Sequence, residues 1–222
     1  MDGSAPVRLG KGNPLALSPD GKQALVVNVN VPMQAILLPT GAGQAKALPR
    51  GPLVQIHAAG FMPDGRRIVL VANETGHGSR LYVQDLVSGE PKPISAERVQ
   101  AVAPGLQTTP DGAFVAAVWG HGVWLYPTAG GEPKEVAGAA PDDQPLRFSR
   151  DGRFLYVRLA GQPRIFRVDL AAGKREPWKE ITREGGGPAA IVGSIVLTPD
   201  GRSYAYLLRD DTSTLYVAEG LH

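Results

Sequence analysis

Leu17-Ser18-Pro19-Asp20-Gly21 is the first of five copies of one short turn motif. The other copies are Phe61-Met62-Pro63-Asp64-Gly65, Thr108-Thr109-Pro110-Asp111-Gly112, Phe148-Ser149-Arg150-Asp151-Gly152 and Leu197-Thr198-Pro199-Asp200-Gly201. In such a turn Ser or Thr offers a side-chain acceptor to a nearby backbone N–H, Pro fixes φ, and Gly takes the positive φ that closes the turn. The final glycines are 44, 47, 40 and 49 residues apart, a period typical of propeller blades with four short strands.

The composition of the 222-residue chain is that of a globular protein, with 43% hydrophobic and 20% charged residues. Its 28 glycines and 20 prolines are scattered, which favours an all-β protein with many tight turns. The net charge is +2 with no basic block, so nucleic-acid binding is not indicated. The chain has no cysteine, which excludes disulfides and cysteine-based metal sites. It shows neither a signal peptide nor an apolar run of membrane-spanning length.

The apolar periodicity around each turn predicts strands. The predicted strands are Pro14–Ser18, Gln23–Asn30, Gln34–Thr40 and Ala45–Pro49; Leu53–Met62, Arg66–Asn73, Arg80–Val87 and Pro91–Ser95; Gly105–Thr109, Ala113–Trp119, Gly122–Pro127 and Pro133–Val136; Pro145–Ser149, Arg153–Leu159, Arg164–Leu170 and Arg175–Ile181; and Ile191–Thr198, Arg202–Arg209 and Thr214–Ala218. Each of the first four units therefore has four strands, and the fifth lacks one.

The N-terminal segment Asp2–Leu9 aligns with the turn and outer strand of the second unit, Ser88–Ile94. It could supply the missing strand and so close the ring. We therefore predict one five-bladed β-propeller domain, with blades at about 13–50, 51–97, 98–138, 139–183 and 184–221 plus 2–10. The alternative is a fragment of a ring with six to eight blades, because the same alignment would then result.

At these residues the chain resembles the TolB-like, WD-type propeller repeats. The resemblance lies in the Ser-Pro-Asp-Gly turns and in a later aromatic-rich strand, seen here as Leu81–Leu86, Ile165–Leu170 and Leu215–Val217. It implies the propeller fold, and it leaves function open among protein-binding platforms, gating domains of peptidases and sensors.

The ending Leu197–Leu221 and the stretch Leu38–Gly43 resemble the C-terminal propellers that follow the kinase domain in some bacterial Ser/Thr kinases. That likeness implies a sensor or interaction domain, on the extracytoplasmic side if the likeness holds and cytoplasmic otherwise. The kinase motifs themselves are absent from the sequence, so phosphoryl transfer is not implied.

The five turn aspartates are interpreted as structural, because each lies in a separate turn and has a local reason to be there. The strand before each turn should be the innermost one of its blade, and the predicted inner stretches Leu15–Ser18, Ile56–Met62, Gly105–Thr109, Leu146–Ser149 and Ser194–Thr198 contain no Asp or Glu. A glycosidase needs two carboxylates facing one another across the channel. The sequence therefore argues against a glycosidase.

The polar side chains predicted for the channel include His57, Gln107 and Arg147. These residues could bind a small anion or a peptide carboxylate, since Arg suits bidentate capture, although a channel of this kind could also hold only water.

We predict no metal and no cofactor. His77 and His121 should lie at equivalent hairpin tips on one edge of the ring, where two neighbouring imidazoles could meet at a metal or a partner. We interpret them as ordinary solvated turn residues, because no carboxylate companion strengthens a metal site. Trp178, on an outer strand, is expected either to pack at the rim or to contact a partner.

The Gly-x-Ser-x-Gly elbow of a serine hydrolase is absent, and Glu184–Pro188 lacks the end of a phosphate-binding loop. The sequence therefore predicts a non-enzymatic propeller for protein interaction or ligand sensing, monomeric if its ring closes. The alternative is an enzyme or an enzyme-gating propeller, such as a channel hydrolase or a peptidase cap.

Overall fold

The computed structural model describes residues 7–87, 89–100, 106–181, 191–198 and 200–209. Throughout these ranges the regular secondary structure consists of β-strands, and every strand pairing is antiparallel. The predicted all-β fold is confirmed.

The described strands form five sheets, and within each sheet the strands pair largely in chain order. The first sheet contains β1 (Asn13–Leu17), β2 (Gln23–Val27), β3 (Ala35–Pro39) and β4 (Lys46–Ala47); the second contains β5 (Leu53–Phe61), β6 (Arg67–Glu74), β7 (Arg80–Asp85) and β8 (Lys92–Pro93). The third contains β9 (Val99–Gln100), β10 (Gln107–Thr108), β11 (Phe114–Trp119), β12 (Gly122–Pro127) and β13 (Lys134–Glu135). The fourth contains β14 (Asp143–Phe148), β15 (Phe154–Leu159), β16 (Arg164–Asp169) and β17 (Lys174–Glu180), and the fifth β18 (Ile191–Leu197) and β19 (Tyr204–Arg209).

Two inner strands differ from the prediction. In the third sheet both β9 and β10 pair with β11, so strand pairing begins at Val99, earlier than the predicted Gly105. In the fourth sheet β14 begins at Asp143 instead of Pro145. The reason is that Asp143 and Gln144 pair with Leu159 and Arg158, and this long-range pairing overrides the low strand propensity of Asp.

Two predicted elements concern the closure of the ring. The predicted strand Thr214–Ala218 lies outside the described residues, and so do residues 2–6 of the N-terminal segment. Residues 7–10 are described and form no strand.

Hydrophobic clusters join each sheet to the next. The cluster between the first and second sheets includes Leu25, Leu37, Ile68 and Tyr82. Similar clusters join the second sheet to the third, the third to the fourth, and the fourth to the fifth. In β6 the run from Ile68 to Ala72 is buried on both faces of the strand, because a neighbouring sheet covers each face. The sheets therefore stand side by side in chain order.

The predicted turn chemistry is confirmed. Ser18 Oγ accepts a hydrogen bond from the backbone N–H of Gln23 at 2.9 Å and donates one to Asp20 Oδ1 at 2.7 Å. Gly21 closes the turn with φ of 70°. The same bonds recur at Thr109–Asp111, Ser149–Asp151 and Thr198–Asp200. Hydrogen bonding to the hydroxyl lowers the pKa of the Asp in each of these four turns. Each of these carboxylates therefore stabilises its own turn.

The second turn has Met62 where the other turns have Ser or Thr, so it lacks the hydroxyl group. Arg67 takes the place of the hydroxyl as the side-chain donor to the turn aspartate. Arg67 Nε donates to Asp64 Oδ2 at 2.7 Å, and the backbone N–H groups of Arg66 and Arg67 donate to Oδ1. These bonds lower the pKa of Asp64 although partial burial opposes the shift. Each turn thus binds its own aspartate in the ionised form.

Successive turns also contact one another. A Cβ placed on Gly112 would stand 3.5 Å from Pro63 Cδ, and one on Gly152 would stand 3.4 Å from Pro110 Cδ. The proline of one turn therefore lies against the glycine of the next. Because the turns follow the inner strands, this contact brings the inner ends of neighbouring sheets together.

Candidate functional site

Residues from the inner strands of all five sheets line one cavity of about 580 Å³. Its walls are formed by β1, β5, β10, β14 and β18 and by the turns that follow the first four of these strands. The lining residues include Leu17, Phe61, Gln107, Arg147 and Val196, one from each sheet. This is the position predicted for a propeller channel.

The polar part of the wall is concentrated on the third and fourth sheets. Gln107 and Thr108 lie in β10, and Arg147 lies in β14. Arg147 Nη1 donates a hydrogen bond to the carbonyl oxygen of Leu197 at 2.9 Å, which holds the guanidinium between the fourth and fifth sheets. Partial burial lowers the pKa of Arg147, but an arginine remains protonated at any physiological pH.

A second cation reaches the cavity from the fourth turn. Pro19, Pro63 and Pro110 line the cavity at the first three turns, and Arg150 occupies the equivalent place in the fourth. Among the described residues that line the cavity, none is Asp or Glu. The wall therefore carries positive charge from Arg147 and Arg150 without a compensating carboxylate.

His57 is the sequence-predicted channel residue that the structure places elsewhere. It is exposed, its Nε2 lies 3.0 Å from Asn73 Oδ1, and it is not among the residues of the cavity wall. The register of β5 against β6 shifts between Ile56 and Ala58, and this bulge changes the direction of the side chain between them. Gln107 and Arg147 thus share the cavity, and His57 does not join them.

Sequence reasoning missed Arg150 as a cavity residue. The sequence did contain a signal. The fourth copy of the motif is the only one that has Arg, Arg150, instead of Pro at the third position. Loss of Pro at this position weakens the preorganisation of the turn. Only the position of the turn at the cavity shows that the substitution also adds charge to the wall.

The inner strands do contain one acid, Asp143, in the part of β14 that the prediction omitted. Its side chain is fully buried, and its carboxylate is bound by Arg175 at 2.9 and 3.1 Å and by the backbone N–H of Ala140 at 2.8 Å. It does not line the cavity. Asp143 therefore connects β14 with β17 and offers no free carboxylate to a ligand.

The two hairpin-tip histidines each have a carboxylate companion, which corrects the prediction. His77 Nδ1 lies 2.8 Å from Glu97 Oε1, and His121 Nδ1 lies 2.8 Å from Asp142 Oδ1. The companions lie 20 and 21 residues further along the chain, so spacing did not reveal them. The described residues contain no group of three or more potential metal ligands.

Glu97, the companion of His77, has a carboxylate with three hydrogen-bond partners. It is bound by His77, by the backbone N–H of Gly78 and by Arg80, and these bonds, that of His77 foremost, lower its pKa to about 2. Glu97 is therefore ionised at neutral pH and balances the charge of Arg80.

Trp178 has a packing role in the structure. Its ring lies 4.6 Å from that of Tyr156, and it packs against the cluster between the fourth and fifth sheets. Of the two expectations for this residue, rim packing is the one for which the structure shows contacts.

No protein-family model matches the sequence, and no curated protein matches it significantly. Solved structures share its fold, among them that of a putative TolB from Agrobacterium tumefaciens, with a TM-score of 0.67, 18% identity, 90% of this chain covered and 70% of that chain covered. TolB from Acinetobacter baumannii gives a TM-score of 0.62 and 18% identity over 89% of this chain and 54% of that one. The fold is a TolB-like β-propeller.

This β-propeller is also similar to a chain of the nidogen–laminin complex, with a TM-score of 0.59 and 15% identity over 80% of this chain and 68% of that one. At such identities the likeness concerns the fold alone. In the described part of the β-propeller, no helix is long and apolar enough to span a membrane.

Proposed function

We propose that this β-propeller is a non-enzymatic interaction module whose central cavity binds a carboxylate group of a protein or peptide ligand. The observation that carries the proposal is the cavity wall, which receives residues from all five sheets and contains Arg147 and Arg150 but no described Asp or Glu.

The cavity combines anion-binding groups with apolar surface. Leu17, Phe61 and Val196 supply apolar surface, while Arg147 supplies a guanidinium whose fork geometry matches a carboxylate. Water is partly excluded from Arg147, and an ion pair there is stronger than one on the open surface. The volume of about 580 Å³ is that of a small-ligand site. A peptide C-terminus with an apolar last residue satisfies both parts of the wall.

The wall favours binding over hydrolysis. A glycosidase requires two carboxylates across the site, and acid–base catalysis by a single group requires a side chain with a suitable pKa. The described lining offers neither a carboxylate nor a histidine. Turnover of polysaccharide or peptide substrates by the purified protein would instead support the rival class, an enzyme or an enzyme-gating propeller.

Binding can be tested with N-acetyl-leucine and its neutral analogue N-acetyl-leucinamide, using ligand-observed NMR titration. We expect the acid to bind at least about 10-fold more tightly than the amide, since hydrogen bonds to charged groups contribute about 1.5–3 kcal/mol. Arg147→Gln should remove most of this difference. Arg150→Pro restores the residue of the other turns, so it should weaken binding of the acid while leaving the fold intact.

Arg66→Gln is the matched control, because Arg66 is exposed beside the second turn and does not line the cavity. It should leave the affinity for the acid unchanged. Equal binding of acid and amide, or an unchanged affinity in folded Arg147→Gln and Arg150→Pro proteins, would contradict the proposal.

We further propose that the ring closes with five blades, the N-terminal segment pairing into the last one. The support is that β1 of the first sheet and β18 of the fifth line the same cavity. A closed ring should remain a monomer on dilution in sedimentation equilibrium, whereas an open fragment of a larger ring should associate through its free edges. A mass that rises with concentration would contradict closure.

A sensor role in a bacterial Ser/Thr kinase is a narrower proposal. Its support is the resemblance of Leu197–Leu221 and Leu38–Gly43 to kinase-associated propellers. The gene sequence upstream of Met1 tests it: a kinase domain followed by a membrane helix would support an extracytoplasmic sensor, and a further blade would contradict it.

A further inference from the structure

Two tryptophans form an aromatic corner on the outer part of the third sheet. Trp119 and Trp124 have ring centroids 5.6 Å apart and ring planes at 87°. In the register of β11 with β12, Trp119 lies opposite Gly122 and Trp124 lies opposite Ala117, so both indoles stand on one face and each faces a small residue. Trp119 remains 45% exposed, so part of its indole is open to a ligand.

The corner separates two concave surfaces. One is a cavity of about 590 Å³ between the second and third sheets, with Ile94 and Tyr126 also in its wall. The other, of about 330 Å³, lies towards the hairpin tip and includes His121 and Glu135. Both are lined by Trp119 and Trp124, so a ligand in either one contacts an indole.

Acidic groups accompany the indoles. Glu135 lies directly across the strand pair from Trp124, while Lys134 pairs with Leu125 on the opposite face. A Cβ on Gly122 would stand 3.0 Å from Trp124 Nε1 and 3.2 Å from Glu135 Oε1, so the carboxylate lies beside the indole and Gly122 keeps the corner open. Glu132 lines the larger cavity.

The basic groups of these walls are each bonded to a carboxylate, although Arg80 Nε has no hydrogen-bond partner among the described residues. Arg80 is paired with Glu97 at 3.0 Å, and His121 is bonded to Asp142. In the described part of the chain neither Glu132 nor Glu135 forms an ion pair. The corner therefore has an excess of negative charge beside two π faces.

We propose that this aromatic corner binds a cationic side chain, lysine or arginine, of a partner peptide. The negative face of an indole attracts a cation, and the attraction is strongest for Trp and for a partly desolvated site. Glu132 and Glu135 add charge complementarity, which a purely apolar or proline-rich peptide could not use. The site is separate from the central cavity and does not depend on the function proposed for it.

The test uses tryptophan fluorescence in a Trp178→Phe background, so that only Trp119 and Trp124 report. The probes are the N-acetyl amides of arginine and lysine, and their neutral counterparts are the N-acetyl amides of citrulline and acetyl-lysine. We expect each cation to bind at least about 10-fold more tightly than its neutral counterpart. The stronger of the two cations identifies the side chain of the partner.

Variants distinguish the parts of the site. Glu132→Gln with Glu135→Gln should weaken cation binding several-fold and reduce its dependence on salt. Trp119→Leu, followed by calorimetry, should weaken it about 10-fold with an unchanged unfolding transition, since the indole is half exposed. Glu90→Gln, an exposed carboxylate of the preceding unit, is the control and should have no effect.

Three results would overturn the proposal. Equal affinities for arginine and citrulline would show an apolar groove without charge selectivity. Stronger binding of N-acetyl-tetraproline amide than of the cations would show a proline-rich peptide site. Absence of saturable binding of every probe to the folded protein would show that the corner is a packing feature only.

Discussion

Replacing Arg175 by alanine is expected to lower the free energy of unfolding by about 3–5 kcal/mol, because it leaves the buried carboxylate of Asp143 without its cation. Arg175 holds both carboxylate oxygens, at 2.9 and 3.1 Å, and its guanidinium carbon also lies 3.4 Å from the ring centroid of Phe166. Asp143 is fully buried, and among the described residues only the Ala140 N–H still donates to its carboxylate in the variant. Urea unfolding followed by tryptophan fluorescence measures the loss.

Two further variants make this result specific. Arg164→Ala breaks an exposed pair with Glu180 in the same sheet and should cost less than about 1 kcal/mol. Replacing both partners, Asp143→Leu with Arg175→Met, should recover much of the stability because no charge is then left buried. Similar losses for Arg175→Ala and Arg164→Ala would mean that the buried pair is unimportant.

Replacing Gly138 by alanine is expected to cost about 2–5 kcal/mol, combining a strained backbone with overpacking. Gly138 has φ of 83°, and a Cβ there would stand 2.2 Å from the carbonyl oxygen of Gly173. The contact is between two backbones, so a side-chain rotation cannot relieve it. It joins the loop after β13 to the hairpin between β16 and β17.

Gly130→Ala separates the two contributions. Gly130 has nearly the same φ, 85°, but a Cβ there meets nothing within 4 Å. It should therefore show only the cost of the left-handed conformation, about 1–2 kcal/mol, in the same urea experiment. If the two alanine variants were equally stable, close packing between these backbones would not contribute.

The repeated turn explains why so much of the fold could be predicted. The hydrogen bonds that form the turn join Ser18, Asp20 and Gly21 to one another and to residues at most five positions away, so the chemistry of the turn is contained in and next to the motif. A longer-range bond, from Thr40 Oγ1 to the carbonyl oxygen of Gly21, adds to them. The strands on either side followed from apolar periodicity, and their bounds agree with the structure to within a few residues for most strands.

The candidate site was predictable only in part. Gln107 and Arg147 were assigned to the cavity because they lie on strands before a turn, and the structure places both in its wall. His57 satisfied the same argument, but a bulge in β5 leaves it outside the wall. A one-residue irregularity reverses the face of a side chain, and apolar periodicity does not reveal where it occurs.

The aromatic corner is a second feature that could be predicted from the sequence only in part. Aromatic residues at alternating strand positions, such as Trp119 and Trp124, favour packing between blades, and their residue types and spacing are visible in the sequence. Three features depend on strand register and on the small residues opposite the indoles: the 87° angle between the rings, the exposure of Trp119, and the position of Glu135, which has no ion pair in the described part of the chain.

The sequence by itself determined the turns, the strands and the all-β class, because those depend on hydrogen bonds and dihedral preferences within a few residues. The tertiary structure decided which side chains meet, for example Asp143 with Arg175 and His77 with Glu97, and it placed Arg147 and Arg150 in the wall of one cavity. Residues 20 or more positions apart, such as Asp143 and Arg175, become neighbours when the strands of a sheet pair and the sheets pack side by side. That packing is driven by apolar burial, which is not directional and leaves no local signature of which polar groups will become neighbours.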